Sequence, residues 1–264
     1  MTEKVLALVT GASRGFGLSI CEEFSKTNKN IDFVLFAFSF NDEKIQKITS
    51  DLKSFNPNVN ILHVVNIDMS VISQVEKEFQ SLLDKINMDN YTDVVFVNNH
   101  GSLSTLDLVE NLSEFKQIES DITLNTTSIV VTSSLFLRKI KSLTNFKDIR
   151  FSLVNVSSLC AIKPFQSWGI YCCGKAFRDM LYQNIAVENP FENLKTLNYA
   201  PGPMDTDMQK EIREKCTHGP TKQVFIDMKE GGRLVNPNTS AAKLVKLVFD
   251  YKFTSGAHLD FFDQ

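Results

Sequence analysis

This 264-residue chain is poor in cysteine and histidine and has no surplus of positive charge. Its five cysteines, Cys21, Cys160, Cys172, Cys173 and Cys216, are odd in number and form no C-x-x-C pair, which argues against a disulfide framework or a zinc site. The four histidines, His63, His100, His218 and His258, lie far apart and fit no ligand spacing such as H-E-x-x-H, so no metal is expected. Lysine and arginine number 28 against 31 acids, a net charge of -3, and no nucleic-acid partner is expected. Long apolar runs are missing too. The first, "VLALV", flows at once into a glycine turn and is too short for a signal peptide or a membrane span, so a soluble cytoplasmic protein without a membrane partner is expected. No Pro/Gly/Ser linker or repeat divides the chain, so a single domain over 1–264 is expected.

Short apolar, often β-branched runs alternate with longer amphipathic stretches. The runs predict strands at 4–10, 32–38, 60–66, 93–99, 150–157, 194–200 and 257–262. Helices are predicted near 16–26, 42–55, 70–87, 112–141, 169–189 and 239–250, with Asn41, Ser70 and Asn238 as cap-like starts. Alternation of this kind builds an α/β, doubly wound parallel sheet with helices on both faces. The polar stretch 201–236 reads as one long irregular loop, a candidate substrate flap.

Three local features carry chemistry. The first strand runs into "TGASRGFG", Thr10 to Gly17, whose glycines let a pyrophosphate approach backbone and helix N-terminus; the spacing is G-x-x-x-G-x-G, and a bare strand-to-helix turn is the lesser alternative. In "YCCGK", Tyr171 and Lys175 stand four apart on one helical face, where an ammonium would pull the phenol from its free value of about 10 toward neutrality. Surface chance is the plain alternative. Ser158, in "NVSSLCA", stands at the carboxyl end of a strand, where a hydroxyl could hold a carbonyl or merely make a turn.

The ordered set is more telling than any part. "TGASRGFG", "NNHG", Asn125, Ser158, Tyr171, Lys175 and "APGPMDT" together resemble the short-chain dehydrogenase/reductase family over nearly the whole chain. That resemblance implies a Rossmann-like sheet of strand order 3-2-1-4-5-6-7 and a nicotinamide cofactor. It implies Ser158, Tyr171, Lys175 and Asn125 as catalytic residues, with Tyr171 the proton donor and Asn125 supporting a water relay. The cofactor would lie against Gly11, Ala12, Ser13, Arg14, Gly15, Phe16 and Gly17. Asn99 and Gly101 follow from the "NNHG" match, Asp68 would meet the adenine, and Met204, Thr206 and Gln209 would close over the nicotinamide beside Tyr171 and Lys175.

The stretches "NVSSLCAIKPFQSWGIYCCGKAFRDML", "LNYAPGPMDTDMQ" and "SGAHLDFFDQ" narrow the resemblance to members that reduce a pterin side-chain carbonyl. A pterin presents a row of donors, and Asp260 is implied as its carboxylate anchor, with Ser158, Leu159, Tyr171 and Gly202 lining the rest of the substrate site. NADP (as NADPH) is implied by Arg14 and by the missing acid after the second strand. There "FSFND" puts Phe40 where such members carry arginine, leaving Ser39 and Asn41 to add hydrogen bonds. A homodimer packed through helices near 112–141 and 169–189 is implied. A reductase of another ketone, diketone or quinone, and a scaffold that has lost the chemistry, are the competing readings.

Overall fold

A computed structural model describes residues 3–263. Seven strands, β1 (Lys4–Thr10), β2 (Asn30–Ala37), β3 (Val59–Asn66), β4 (Asp93–Asn98), β5 (Arg150–Val156), β6 (Leu194–Ala200) and β7 (Ala257–Asp260), form one sheet. Their order is β3-β2-β1-β4-β5-β6-β7 and every pairing is parallel, as expected. The central strands are apolar on both faces because helices cover both. On one side lie α1 (Gly15–Ser25), α2 (Asp42–Phe55) and α9 (Pro237–Asp250), packed around Phe24, Leu52 and Leu244. On the other lie α3 (Ile72–Lys85), α5 (Ser128–Lys141) and α6 (Gly169–Glu188). A column of phenylalanines, Phe36, Phe79, Phe96 and Phe136, bolts strand to helix there, with successive ring centroids 5.3, 5.3 and 5.1 Å apart.

Several boundaries differ from expectation for identifiable reasons. The stretch 201–236 is not one loop, since it holds α7 (Asp207–Lys215) and α8 (Gly219–Glu230). Both were hidden by polar faces: α7 sends Ile212 fully inward, and α8 buries no side chain completely. Its start is marked by His218, whose ring nitrogen accepts from Thr221 N, with Pro220 in the first turn. The helix expected at 112–141 begins as α4 (Phe115–Ile122), widens into a π-helical segment (Thr123–Thr127) and continues as α5. Ser70 and Asn238 are not caps. Val71 occupies the first of those positions, and Asn236 caps α9 by accepting from Asn238 N and Thr239 N, while Asn41 does cap α2. The last strand stops at Asp260 because Asp260 Oδ1 accepts from Phe262 N and closes a turn. Among the described residues no helix is long and apolar enough to cross a membrane, and no cluster of His, Cys, Asp or Glu is placed to hold a metal.

Because all strands are parallel, their carboxyl ends share one edge, and nearly every residue singled out in the sequence lies just beyond it.

Candidate active site

The glycine turn links β1 to α1 and is braced from β4. Asn99 Nδ2 donates to Thr10 O at 2.9 Å and Gly11 O at 3.3 Å, and Asn99 N and His100 N both donate to Thr10 Oγ1. The close approach requires glycine. A Cβ on Gly17 would fall 2.3 Å from Gly11 O, and Gly11 itself adopts φ +65. Gly15, at φ +55, has only Thr206 Cγ2, at 3.9 Å, near the space a Cβ would fill. Arg14 begins α1 without a side-chain capping bond. An uncapped helix N-terminus beside an open glycine fits a dinucleotide pyrophosphate.

The side chains around this turn do not all face outward. Ala12 and Phe16 are core residues, Phe16 stacking on Tyr199, so only their backbone is available to a ligand. Arg14 reaches across to Asp207 at the start of α7, a 2.5 Å ion pair between two largely exposed groups. Phe40 corrects the expectation most clearly. Its side chain turns into the core, and its backbone N and O are both held by the Asn66 amide, so the aromatic exposed at the end of β2 is Phe38. Asn41 spends its oxygen on capping α2, and Asp68 Oδ1 accepts from Ser70 N and Oγ.

Across the sheet, two residues beyond the end of β5, Ser158 stands in extended backbone and accepts from Cys160 N at 3.2 Å. Tyr171 and Lys175 lie one turn apart on α6, both buried, with the lysine Nζ 5.6 Å from the tyrosine ring centroid. Nζ donates to Val156 O at 2.6 Å. The phenol is not pulled toward neutrality. Burial pushes Tyr171 above its ordinary value, Cys160 adds to that, and Arg178 and the Ser158 hydroxyl oppose it. Burial holds the Lys175 ammonium well below its usual range, with Arg178 adding repulsion and Asp179 opposing both.

Asn125 sits in the π-helical segment, where the widened turn aims it at the loop after β4. Its Oδ1 accepts from Ser102 N at 3.1 Å and its Nδ2 donates to Ser102 O at 3.2 Å. A Cβ on Gly101 would press on that oxygen at 3.1 Å. Ser102 carries no motif of its own and was missed.

The segment 201–236 reaches the same place. Phe225 of α8 stacks on Trp168 at 5.1 Å, and Trp168 meets Tyr171 edge-on at 5.7 Å. Gln209 is buried and donates to Phe225 O, tying α7 to α8, so it works inside this layer. Met204 bridges to Val235, and Thr206 begins α7. Gly202, at φ +78, lies under the tail, where a Cβ would meet Phe262 at 3.4 Å. The tail itself is anchored, since Phe261 N donates to Ala200 O and Lys243 Nζ donates to Phe261 O. Asp260 therefore stands at the carboxyl edge beside β6, and Leu159 is exposed after Ser158.

Sequence reasoning also missed the buried polar layer beneath these groups. Arg178, 0% exposed, donates to Asn155 Oδ1, His100 O and Asn98 O at 2.8, 2.9 and 2.9 Å, pinning together the ends of two strands. Its only signal was a charged pair, "RD", one turn after Lys175 on the helix.

The model of the short chain dehydrogenase family matches residues 5–217. The chain is 33% identical over 262 residues to sepiapterin reductase of Bos taurus, covering 99% of this chain and 96% of that one. It is 26% identical to benzil reductase ((S)-benzoin forming) of Bacillus cereus, covering 94% and 96%. A short chain dehydrogenases/reductase crystal structure from Saccharomyces cerevisiae superposes with a TM-score of 0.78 at 24% identity, covering 99% and 96%.

Proposed function

The chain belongs to the short-chain dehydrogenase family of oxidoreductases, and from that premise we propose that it is an NADPH-dependent reductase of a pterin side-chain carbonyl, of the sepiapterin or 6-pyruvoyl-tetrahydropterin type, acting in tetrahydrobiopterin biosynthesis. What carries the reading is near end-to-end similarity to bovine sepiapterin reductase, joined to an acid, Asp260, at the carboxyl end of β7, the strand whose His258 meets the tyrosine helix at Asp179.

The backbone of Gly11 to Gly17 would hold the pyrophosphate, Asp68 the adenine, and Thr206 the nicotinamide amide. When bound, the reduced nicotinamide supplies the two electrons delivered to the carbonyl carbon. Tyr171 gives its proton to the carbonyl oxygen, a role suited to a phenol that burial keeps protonated. Ser158 donates a hydrogen bond to the same oxygen as charge develops on it. Lys175 orients the ribose and, as a cation, lowers the cost of taking the proton from Tyr171. Asn125 holds the loop after β4 and supports a water relay to Lys175. Asp260 accepts from the pterin N–H edge, a charge-assisted grip.

NADPH over NADH is supported by Arg14 and by the lack of an acid after β2, since Asp42 lies in the first turn of α2. A second copy of the chain would cover the face where Ile122 and Phe177 line a cavity of about 300 Å³ and Val130 and Met180 also stand exposed. The similarity to benzil reductase favours one other reading, reduction of a vicinal diketone.

Absorbance of NADPH, followed with sepiapterin and then benzil, tests all of this. Turnover of sepiapterin at higher kcat/KM than benzil is expected, and better turnover with NADH than NADPH would overturn the cofactor reading. Turnover of benzil alone would establish the diketone reading instead.

A further inference from the structure

Beneath the candidate active site lies an acid–imidazole pair that the proposed chemistry does not use, Asp179 buried and His258 half-buried. Asp179 on α6 is 4% exposed and accepts from Ser157 Oγ at 2.5 Å and Asn155 Nδ2 at 3.0 Å on one oxygen. Its other oxygen faces His258 Nδ1 at 2.5 Å. His258 lies on β7 in register with Asn198 of β6, and its Nε2 is buried without a hydrogen-bond partner among the described residues. An orphaned ring nitrogen is a cost, so the contact at Nδ1 must outweigh it.

The placement gives that contact a use. Asp179 follows Lys175 by one helical turn on the same face of α6, and Lys175 follows Tyr171 by another. Arg178 and Lys175 are two buried bases on the same helix, and Asp179 is the acid beside them that opposes the burial that lowers both. On the far side, His258 and Asp260 alternate onto one face of β7, so whatever fixes His258 also fixes the approach of Asp260. The charged and titratable groups facing the imidazole are Asp179 from α6, with Asp260 and Asp263 from its own strand and turn.

We infer that Asp179 and His258 form a positioning pair: Asp179 is the buried counter-charge to Lys175 on the tyrosine helix, and His258 orients that carboxylate while docking the strand of Asp260 onto the same helix. The inference rests on the proposed reductase reading for its kinetic consequences alone. The directions of titration agree: Asp179 raises His258 above its ordinary value and opposes the burial that lowers Lys175.

The two residues make separable contributions. Asp179→Asn keeps the size and can still bond Ser157 or Asn155, but it withdraws the anion. Lys175 then loses its proton at lower pH, and the alkaline limb of the kcat profile moves toward acid by about one pH unit, roughly tenfold in proton concentration. His258→Leu removes the strand tie, and the KM for sepiapterin rises about fivefold or more while kcat falls less. His258→Asn restores a donor near the Nδ1 position and recovers most of the KM.

The test is pH-dependent kinetics of these three variants with NADPH and sepiapterin, run beside a titration that needs no turnover. In protein carrying ¹³C-lysine, with Lys175→Met for assignment, the Lys175 ε-carbon reports its own protonation. Its midpoint is expected to fall in Asp179→Asn. An unmoved lysine midpoint overturns the inference whether or not the wild type reduces sepiapterin. An inactive wild type with a moved midpoint overturns the functional reading and leaves the counter-charge standing. Variants that only melt earlier, with the alkaline limb and KM unchanged, reduce the pair to a structural tie and overturn its positioning role.

Discussion

The two halves of the carboxyl edge are built by different means. On the β1–β3 side the named side chains mostly turn away: Ala12, Phe16 and Phe40 are core, Asn41 caps a helix, and backbone N–H groups and open glycines are left to meet a ligand. On the β5–β7 side the side chains themselves converge, Ser158, Tyr171 and Lys175 above, Arg178, Asp179 and His258 below. Backbone recognition tolerates almost any side chain that packs, while side-chain chemistry tolerates almost none. A phenylalanine can therefore stand where the resembling members carry arginine without closing the proposed dinucleotide site.

The largest break in that contrast comes from the side-chain half. Tyr171→Phe is expected to lower turnover of sepiapterin roughly 10²–10⁴-fold. Dinucleotide binding, read by quenching of Trp168 fluorescence, should persist; retained turnover would remove Tyr171 from its role.

Gly17→Ala attacks the backbone half, because the added methyl would meet a carbonyl oxygen, which cannot rotate away. A loss of about 1–3 kcal/mol of stability is expected, together with loss of dinucleotide binding, measured by urea unfolding and titration calorimetry. A variant that still binds would mean that the turn can open by other routes.

The third break uses pH. Asp179 raises His258 above the ordinary histidine value of 6.5, so the folded state binds that proton more tightly than the unfolded chain. The stability it contributes is complete below pH 6.5 and disappears as pH rises through the folded value. Urea midpoints should therefore decline on the alkaline side in the wild type and less so in His258→Asn.

Arg14→Gln makes the smallest change. The Arg14–Asp207 pair is exposed and contributes little to stability, so the urea midpoint should not move. The KM for NADPH should rise several-fold and that for NADH stay put; equal effects on both would show that Arg14 does not read the 2′-phosphate.

Much of this was legible in the sequence where the signal is local. Alternation of apolar runs located all seven strands, glycine spacing located the turn, and a four-residue separation put Tyr171 and Lys175 on one face. The misses share a cause. The helices α7 and α8 were hidden because their inward faces are small, and the π-helical segment because one extra residue in a turn leaves no periodic trace. Phe40 was placed by its position after a strand, whereas its direction is set by Asn66, 26 residues away.

By itself the sequence determined the sheet, its helices and the spacing of its reactive groups, since those follow from periods of two and 3.6 residues and from glycine geometry. Only the tertiary structure decided that Asp179 meets a histidine 79 positions later, that Arg178 binds carbonyls 78 and 80 positions earlier, and that burial makes Tyr171 hold its proton. The physical reason is that burial, and the pairing of charges it forces, belong to contacts between distant segments, which no local pattern records.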